Sequence, residues 1–97
     1  MSNRITKKQL ETSADYLNRI TGNPETAYTR DDSGKFTANI GNYHISYAYG
    51  GACLHQMMNE GGGVTCPIEH CHVPKRELWD KMQAFIAGIE LAKRGEA

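Results

Sequence analysis

Two glycine-containing dipeptides, Gly41-Asn42 and Gly50-Gly51, constrain the fold of this chain more than any other feature of its sequence. Dipeptides of this kind are typical of two-residue β-hairpin loops. The residues around them alternate between apolar and polar with the period of two that a half-buried strand requires. The sequence therefore predicts a three-stranded antiparallel meander, with strands at residues 35–40, 43–49 and 52–58.

The two turns also predict a strand register. The first turn places Phe36 opposite Tyr47, and the second places Tyr47 opposite Leu54 and Tyr43 opposite Met58. Side chains of a strand alternate between faces, so one face of the sheet is expected to be apolar and the other polar. The expected apolar face carries Phe36, Ile40, Tyr43, Ile45, Tyr47, Leu54 and Met58, and the expected polar face carries Lys35, Thr37, Asn39, His44, Ser46, Cys53, His55 and Met57.

A helix with a signal at each end precedes the meander. Thr6 and Gln9 have the spacing of a capping box, in which each side chain bonds the other residue's backbone N–H. Gly22 suits the left-handed position after a helix, and Pro24 prevents the helix from continuing. The sequence therefore predicts a helix over Lys7–Thr21.

A second helix is predicted after Pro74, a residue suited to the first turn of a helix, and it ends near Gly95. Residues 26–30 can add a short edge strand to the meander. The expected fold is a single α+β domain over residues 1–97, in the order helix, three- to four-stranded antiparallel meander, helix, with both helices on one sheet face. The second helix directs one apolar face to the sheet, formed by Leu78, Met82, Phe85, Ile86 and Ile89.

Composition narrows the class of protein. The 11 basic residues equal the 11 acidic residues, so the chain lacks the net positive charge that drives non-specific binding to nucleic acids or anionic membranes. No apolar run approaches the roughly 20 residues that span a bilayer, and the first residues do not resemble a secretory signal. We expect a cytoplasmic protein whose three cysteines are reduced.

A cluster of four potential zinc ligands lies within seven residues, and Cys53 and His55 lie on a nearby predicted strand. The spacing matches no standard zinc finger or ribbon, and adjacent histidine and cysteine residues fit one tetrahedral site poorly. The alternative is a surface loop with reduced thiols, and we therefore expect no metal and no cofactor. The four residues are Cys66, His70, Cys71 and His72.

The predicted polar face also places His44 diagonal to His55, Ser46 opposite His55 and Cys53 opposite Ala48. Nucleophilic catalysis by a cysteine and a histidine requires a third, orienting group and a pocket, and the sequence predicts neither. The triple glycine at residues 61–63 lacks the lysine and the serine or threonine of a phosphate-binding loop. We expect a protein that is not an enzyme.

Three regions are candidates for contact with a partner. The segment 59–73 is long for a loop in a compact domain, which is typical of functional loops. Two basic residues at the start of the last helix oppose its dipole, so helix stability does not explain them. The open sheet face is the third region. The candidate partner-binding residues are Asn59, Glu60, Val64, Lys75, Arg76, His44 and His55.

The order helix, three strands, helix resembles that of double-stranded-RNA-binding domains, which grip phosphates with lysines at the start of their second helix. Only Lys75 and Arg76 occupy that position here, and Lys35 and Arg30 are further candidates for phosphate contact. A nucleic-acid-binding module is therefore the alternative function. An exposed strand edge at residues 26–30 or 52–58 could also pair with a second copy to form a homodimer.

Six segments spread over most of the chain are Asn18-Arg19-Ile20-Thr21-Gly22-Asn23-Pro24, Tyr28-Thr29-Arg30, Ala38-Asn39-Ile40-Gly41-Asn42-Tyr43-His44, Ala48-Tyr49-Gly50-Gly51, Asn59-Glu60-Gly61-Gly62-Gly63-Val64 and Lys75-Arg76-Glu77-Leu78. With these segments the chain resembles short accessory proteins of tailed phages and prophages. The resemblance implies a protein of the host cytoplasm that binds and blocks a host protein machine, such as a CRISPR effector or another defence complex. Those proteins have a glycine-rich stretch between Val64 and Pro74 without the Cys/His cluster, which is a further reason to expect no metal site.

Overall fold

A computed structural model describes residues 4–68 and 72–95. It confirms an α+β fold in which antiparallel strands lie between an N-terminal and a C-terminal helix. Within the described ranges, no helix is long and apolar enough to cross a membrane. The elements are α1 (Lys7–Thr21), β1 (Tyr28–Arg30), β2 (Phe36–Ala38), β3 (Tyr43–Ala48), β4 (Gly51–Met57), β5 (Val64–Thr65) and α2 (Lys75–Gly95).

Helix α1 has the predicted bounds because its end signals act locally. The Thr6 Oγ1 accepts a hydrogen bond from the Gln9 backbone N–H at 3.2 Å, and the Thr6 N–H donates to Gln9 Oε1 at 2.8 Å. Gly22 ends the helix with φ of 72°, a left-handed conformation that glycine adopts without steric cost.

The prediction that residues 35–40 pair with residues 43–49 is wrong. The strands form two separate sheets, β1-β2 and β3-β4-β5. Strand β2 pairs with β1, so that Phe36 lies opposite Arg30 instead of opposite Tyr47. The turn at residues 31–34 closes this short hairpin, since Asp31 Oδ1 accepts hydrogen bonds from the backbone N–H groups of Ser33 and Lys35 and Gly34 has φ of 87°.

The Gly41-Asn42 turn has a different role from the predicted one. The Gly41 N–H donates to the Met57 carbonyl at 2.8 Å, and the Met57 N–H donates to the Asn42 carbonyl at 2.9 Å. The turn therefore attaches the chain to the end of β4 before β3 begins, and it does not pair β2 with β3.

The second hairpin is present, but its register differs from the prediction by two residues. Tyr47 lies opposite Ala52 and Ile45 opposite Leu54, because the turn residues are Tyr49 and Gly50. Both have positive φ, 54° and 75°, as a type I′ turn requires. A shift of two residues keeps every side chain on its predicted face, so the assignment of faces on these two strands survives the error.

Gly51 belongs to β4 because another backbone passes close to it. A Cβ atom at this position would lie 2.7 Å from the Val73 carbonyl oxygen. The neighbouring Ala52 exchanges two backbone hydrogen bonds with Val73, at 2.8 and 3.0 Å. The glycine therefore allows the chain before α2 to dock on the edge of β4.

Both helices cover the same face of the β3-β4-β5 sheet and contact each other. Three residues predicted for this core, Phe36, Ile40 and Met58, are instead 62%, 55% and 55% exposed. Phe36 and Ile40 lie outside the larger sheet, and Met58 lies beyond the end of β4. The buried core consists of Ile5, Leu10, Ala14, Leu17, Tyr43, Ala52, Leu54, Val73, Leu78, Met82 and Ile86.

Asn18 joins α1 to the sheet by a pair of hydrogen bonds. Its side chain is fully buried, at 0% exposure. Its Nδ2 donates to the Tyr43 carbonyl at 2.9 Å, and its Oδ1 accepts from the Tyr43 N–H at 2.7 Å. The Asn18 side-chain amide thus pairs with the backbone N–H and carbonyl of Tyr43 as a neighbouring strand would, so both backbone groups have a hydrogen-bond partner.

We expect Asn18→Ala to lower the free energy of unfolding by about 2–4 kcal/mol, because it leaves the backbone N–H and carbonyl of Tyr43 without partners. Chemical denaturation measures this change. Arg19→Ala is the matched control, since its exposed ion pair with Glu25 at 3.9 Å contributes less than about 1 kcal/mol. Equal losses in the two variants would contradict the assigned role of Asn18.

We expect Gly51→Ala to destabilise the protein by about 1–3 kcal/mol, since the added methyl group overlaps the backbone of Val73. Gly88→Ala, in the exposed middle of α2 with nothing within 4 Å of the new atom, should instead stabilise by about 0.5–1 kcal/mol. Thermal denaturation of both variants checks the opposite signs.

Candidate functional site

The chain turns back along β4 after Met57. Asn59 Oδ1 accepts hydrogen bonds from the N–H groups of Gly61 and Gly63 at 3.0 and 2.9 Å, which folds the glycine-rich turn locally. Strand β5 then pairs with the end of β4, with Thr65 opposite Gln56. The glycines therefore build a turn that returns the chain to the sheet edge.

The returning segment is too long for the ladder it follows. It is paired at Thr65, opposite Gln56, and again at Val73, opposite Ala52. Between these points it uses the seven residues 66–72, whereas β4 uses only the three residues 53–55. The returning segment thus has four residues more than β4 between the two pairing points, and the predicted Cys/His cluster lies in it. Of its members, His70 and Cys71 lie outside the described residues, together with Glu69.

Both ends of the loop contact the predicted polar face of the sheet. The Cys66 Sγ lies 3.6 Å from the Cys53 Sγ, and the His72 Nε2 lies 3.0 Å from the Ser46 Oγ. Three potential metal ligands thereby come together at Cys53, His55 and Cys66, and their ligand atoms all lie within 4.8 Å of one another. We call these three residues the thiol–imidazole cluster.

The two-residue register shift also changes the neighbours on this face. His44 lies directly opposite His55, not diagonal to it, and their ring centroids are 5.6 Å apart. Ser46 lies opposite Cys53, where Ala48 was predicted. The shift thus places the hydroxyl group that holds His72 next to the buried thiol.

Burial determines the protonation of the two sheet imidazoles. It lowers the pKa of His44, with a smaller contribution from the nearby His55. Burial likewise lowers the pKa of His55, and His72 adds to the effect. Both rings are therefore neutral near pH 7, the form in which imidazole donates a lone pair to a metal ion.

A second surface lies at the end of the molecule where β4 finishes. The Ala38 N–H donates to the Glu60 carbonyl at 3.1 Å, so the β1-β2 hairpin is attached to the glycine-rich turn. A groove of about 320 Å³ runs between them. We call this the hairpin–loop surface; the groove is lined by Tyr28, Lys35, Phe36, Thr37, Glu60 and Gly61.

Exposed apolar side chains are concentrated around the hairpin–loop surface. Eight large hydrophobic residues are exposed in the described ranges. Five of them lie in the β1-β2 hairpin, shortly after it, or on either side of the glycine-rich turn. Such clustering is unusual for a surface that contacts only water. The five are Tyr28, Phe36, Ile40, Met58 and Val64.

The predicted partner-binding residues fall in three places. Glu60 lines the groove of the hairpin–loop surface, with Asn59 next to it in the chain and Val64 at the start of β5; His55 belongs to the thiol–imidazole cluster, and His44 lies opposite it on the sheet. The third group, Lys75 and Arg76, begins α2 beside the β3–β4 turn, where Lys75 and Lys7 line a shallow depression. The seven residues of β4, about 20 Å, separate the first group from the third.

Comparisons of the chain with protein-family models, with curated proteins and with solved structures gave no match. The resemblance to phage accessory proteins therefore stays a prediction. The site must be interpreted from its own residues.

One exposed residue has a backbone conformation that its side chain does not favour. Tyr49 has φ of 54° and is 98% exposed at the tip of the β3–β4 turn, and its ring forms an edge contact with the His72 ring at 6.0 Å between centroids. A left-handed conformation costs a non-glycine residue roughly 1–2 kcal/mol. Neither burial nor turn geometry explains the tyrosine.

We expect Tyr49→Asn to raise the free energy of unfolding by about 0.5–1 kcal/mol, because asparagine tolerates the left-handed conformation. Gly50→Ala is the matched control. It adds a methyl group in open space at φ of 75°, and it should destabilise by about 1 kcal/mol. A destabilised Tyr49→Asn would show that the aromatic ring supports the fold.

Proposed function

We propose that this chain is a non-enzymatic protein-binding module that contacts its partner through the hairpin–loop surface. The observation that carries the proposal is the concentration of exposed apolar residues there, five of the eight in the described ranges. Contiguous apolar surface rimmed by polar groups is typical of protein–protein interfaces.

The residue types support the same proposal. Phe36 is 62% exposed, and the guanidinium of Arg30 lies over its ring at 5.8 Å. Tyr28 lines the same groove, and its hydroxyl would be 3.1 Å from a Cβ added at Gly62. Tyrosine and arginine are enriched among the residues that dominate binding energy, and aromatic residues are enriched at interfaces generally. The short two-stranded hairpin has no helix of its own to cover these side chains.

The resemblance to phage accessory proteins gives the proposal a biological direction. The partner would be a host protein or complex in the cytoplasm, and binding would obstruct it. A defence machine such as a CRISPR effector complex is the leading candidate. This part of the proposal rests on the resemblance, whereas the contact surface rests on the exposed residues.

The four residues predicted for phosphate contact do not form one patch. Arg30 and Lys35 belong to the hairpin region, whereas Lys75 and Arg76 begin α2 at the other end of β4. Arg76 also lies 4.0 Å from Asp80 in an ion pair. The arrangement favours a protein partner over RNA or DNA, since a nucleic-acid backbone is read by a continuous basic stripe.

The proposal predicts that Phe36→Ser weakens partner capture at least tenfold, since an interface anchor contributes about 2 kcal/mol or more. The experiment is capture from nuclease-treated bacterial lysate with the tagged chain, followed by titration of the captured protein. Thermal stability should change little, because Phe36 is exposed.

Leu91→Ser is the matched control, since Leu91 is 65% exposed on α2, outside the hairpin–loop surface. It should retain wild-type affinity. Equal weakening by both variants would contradict the assigned surface. Loss of every captured partner after nuclease treatment would instead favour the nucleic-acid-binding module.

A further inference from the structure

The thiol–imidazole cluster has the dimensions of a metal site. Two thiolates bound to zinc at about 2.3 Å in a tetrahedron stand about 3.8 Å apart. The Cys53 and Cys66 sulfurs are 3.6 Å apart, and the His55 ligand nitrogen lies within 4.8 Å of both. The sulfur separation needs a change of only a few tenths of an ångström, and the His55 nitrogen, which would stand about 3.6 Å from each sulfur in such a site, reaches its place by a ring movement of up to about 1 Å.

The fold positions these ligands before any ion binds. Cys53 and His55 are two residues apart on β4, so they share one face of the sheet. Cys66 follows β5 directly, and the pairing of Thr65 with Gln56 holds it beside them. Two ligands thus come from a central strand and the third from the segment that returns along it.

The donor set selects the metal. Two sulfurs and one imidazole are soft or borderline ligands, which suit Zn²⁺ and do not suit Mg²⁺ or Ca²⁺. We propose that Cys53, His55 and Cys66 bind one zinc ion, which fastens the segment directly after β5 to β4. A water molecule can supply the fourth tetrahedral ligand, and the His72 ring lies 6.1 Å from that of His55.

The role of the ion would be structural. It would cross-link β4 to the returning segment at a place between the pairing of Thr65 with Gln56 and that of Val73 with Ala52. Metal binding of this kind adds directly to folding free energy, because the site does not exist in the unfolded chain. The proposal does not depend on the proposed function, since it concerns the chain without a partner.

Cobalt substitution tests the site with the purified full chain. Co²⁺ added to metal-free, reduced protein should bind at one equivalent and give the intense visible bands of a tetrahedral site, together with thiolate-to-cobalt charge-transfer absorption. Zn²⁺ should displace the cobalt and raise the melting temperature. A weak octahedral spectrum, or binding of less than about 0.2 equivalents, would overturn the proposal.

Cys66→Ser is the decisive variant, because Cys66 is half-buried whereas Cys53 is only 1% exposed and tolerates change less well. It should lower Zn²⁺ affinity by at least about 100-fold and remove about half of the charge-transfer absorption, with a metal-free melting temperature close to that of the wild type. His44→Ala is the matched control: His44 neighbours His55 but is not in the cluster, so this variant should retain zinc. Unchanged zinc affinity in Cys66→Ser, or loss of zinc in His44→Ala, would overturn the assignment.

Discussion

The structure depends on the pair of backbone hydrogen bonds between Ala52 and Val73, at 2.8 and 3.0 Å. This bridge anchors the chain immediately before α2 to the edge of β4, and so determines where α2 begins. It requires a glycine at position 51, because a side chain there would overlap Val73. It also fixes the far end of the returning segment. With β5 paired at the near end, the returning segment has seven residues between its two pairing points where β4 has three, and Cys66, the first of the seven, lies beside Cys53.

Features that depend on local chemistry were predictable from the sequence. The capping box at Thr6 and the left-handed Gly22 defined α1 because both act within one turn of the helix. The turn dipeptides were harder to interpret. Gly51 was assigned to a turn, but it is a strand residue whose missing side chain allows a distant backbone to approach. A glycine required for close approach and one required for positive φ look identical in a sequence.

Pairing between strands was less predictable because it depends on competition. Residues 36–38 could pair forward across Gly41-Asn42 or backward across the turn at residues 31–34, and the backward hairpin is formed. The side chain of Asp31 stabilises that turn, whereas Gly41 bonds to Met57 far along the chain. The three residues of the candidate cluster were named as potential ligands, but no metal site was expected, for a related reason. The spacing of the loop cysteines and histidines matches no zinc finger. Cys66 instead lies near Cys53 and His55, which are two residues apart on β4.

The two candidate sites lie on one continuous segment, which gives them a physical connection. Val64 belongs to β5, two residues before Cys66, and the glycine-rich turn of the hairpin–loop surface leads directly into that strand. β5 pairs with β4 through only two residues, a short ladder that holds the segment weakly by itself. A zinc ion bound at Cys66 would limit the motion of β5 and hence of the turn before it. Ordering a loop in advance reduces the entropy lost when a partner binds, so the cluster would strengthen contacts made at a surface it does not touch.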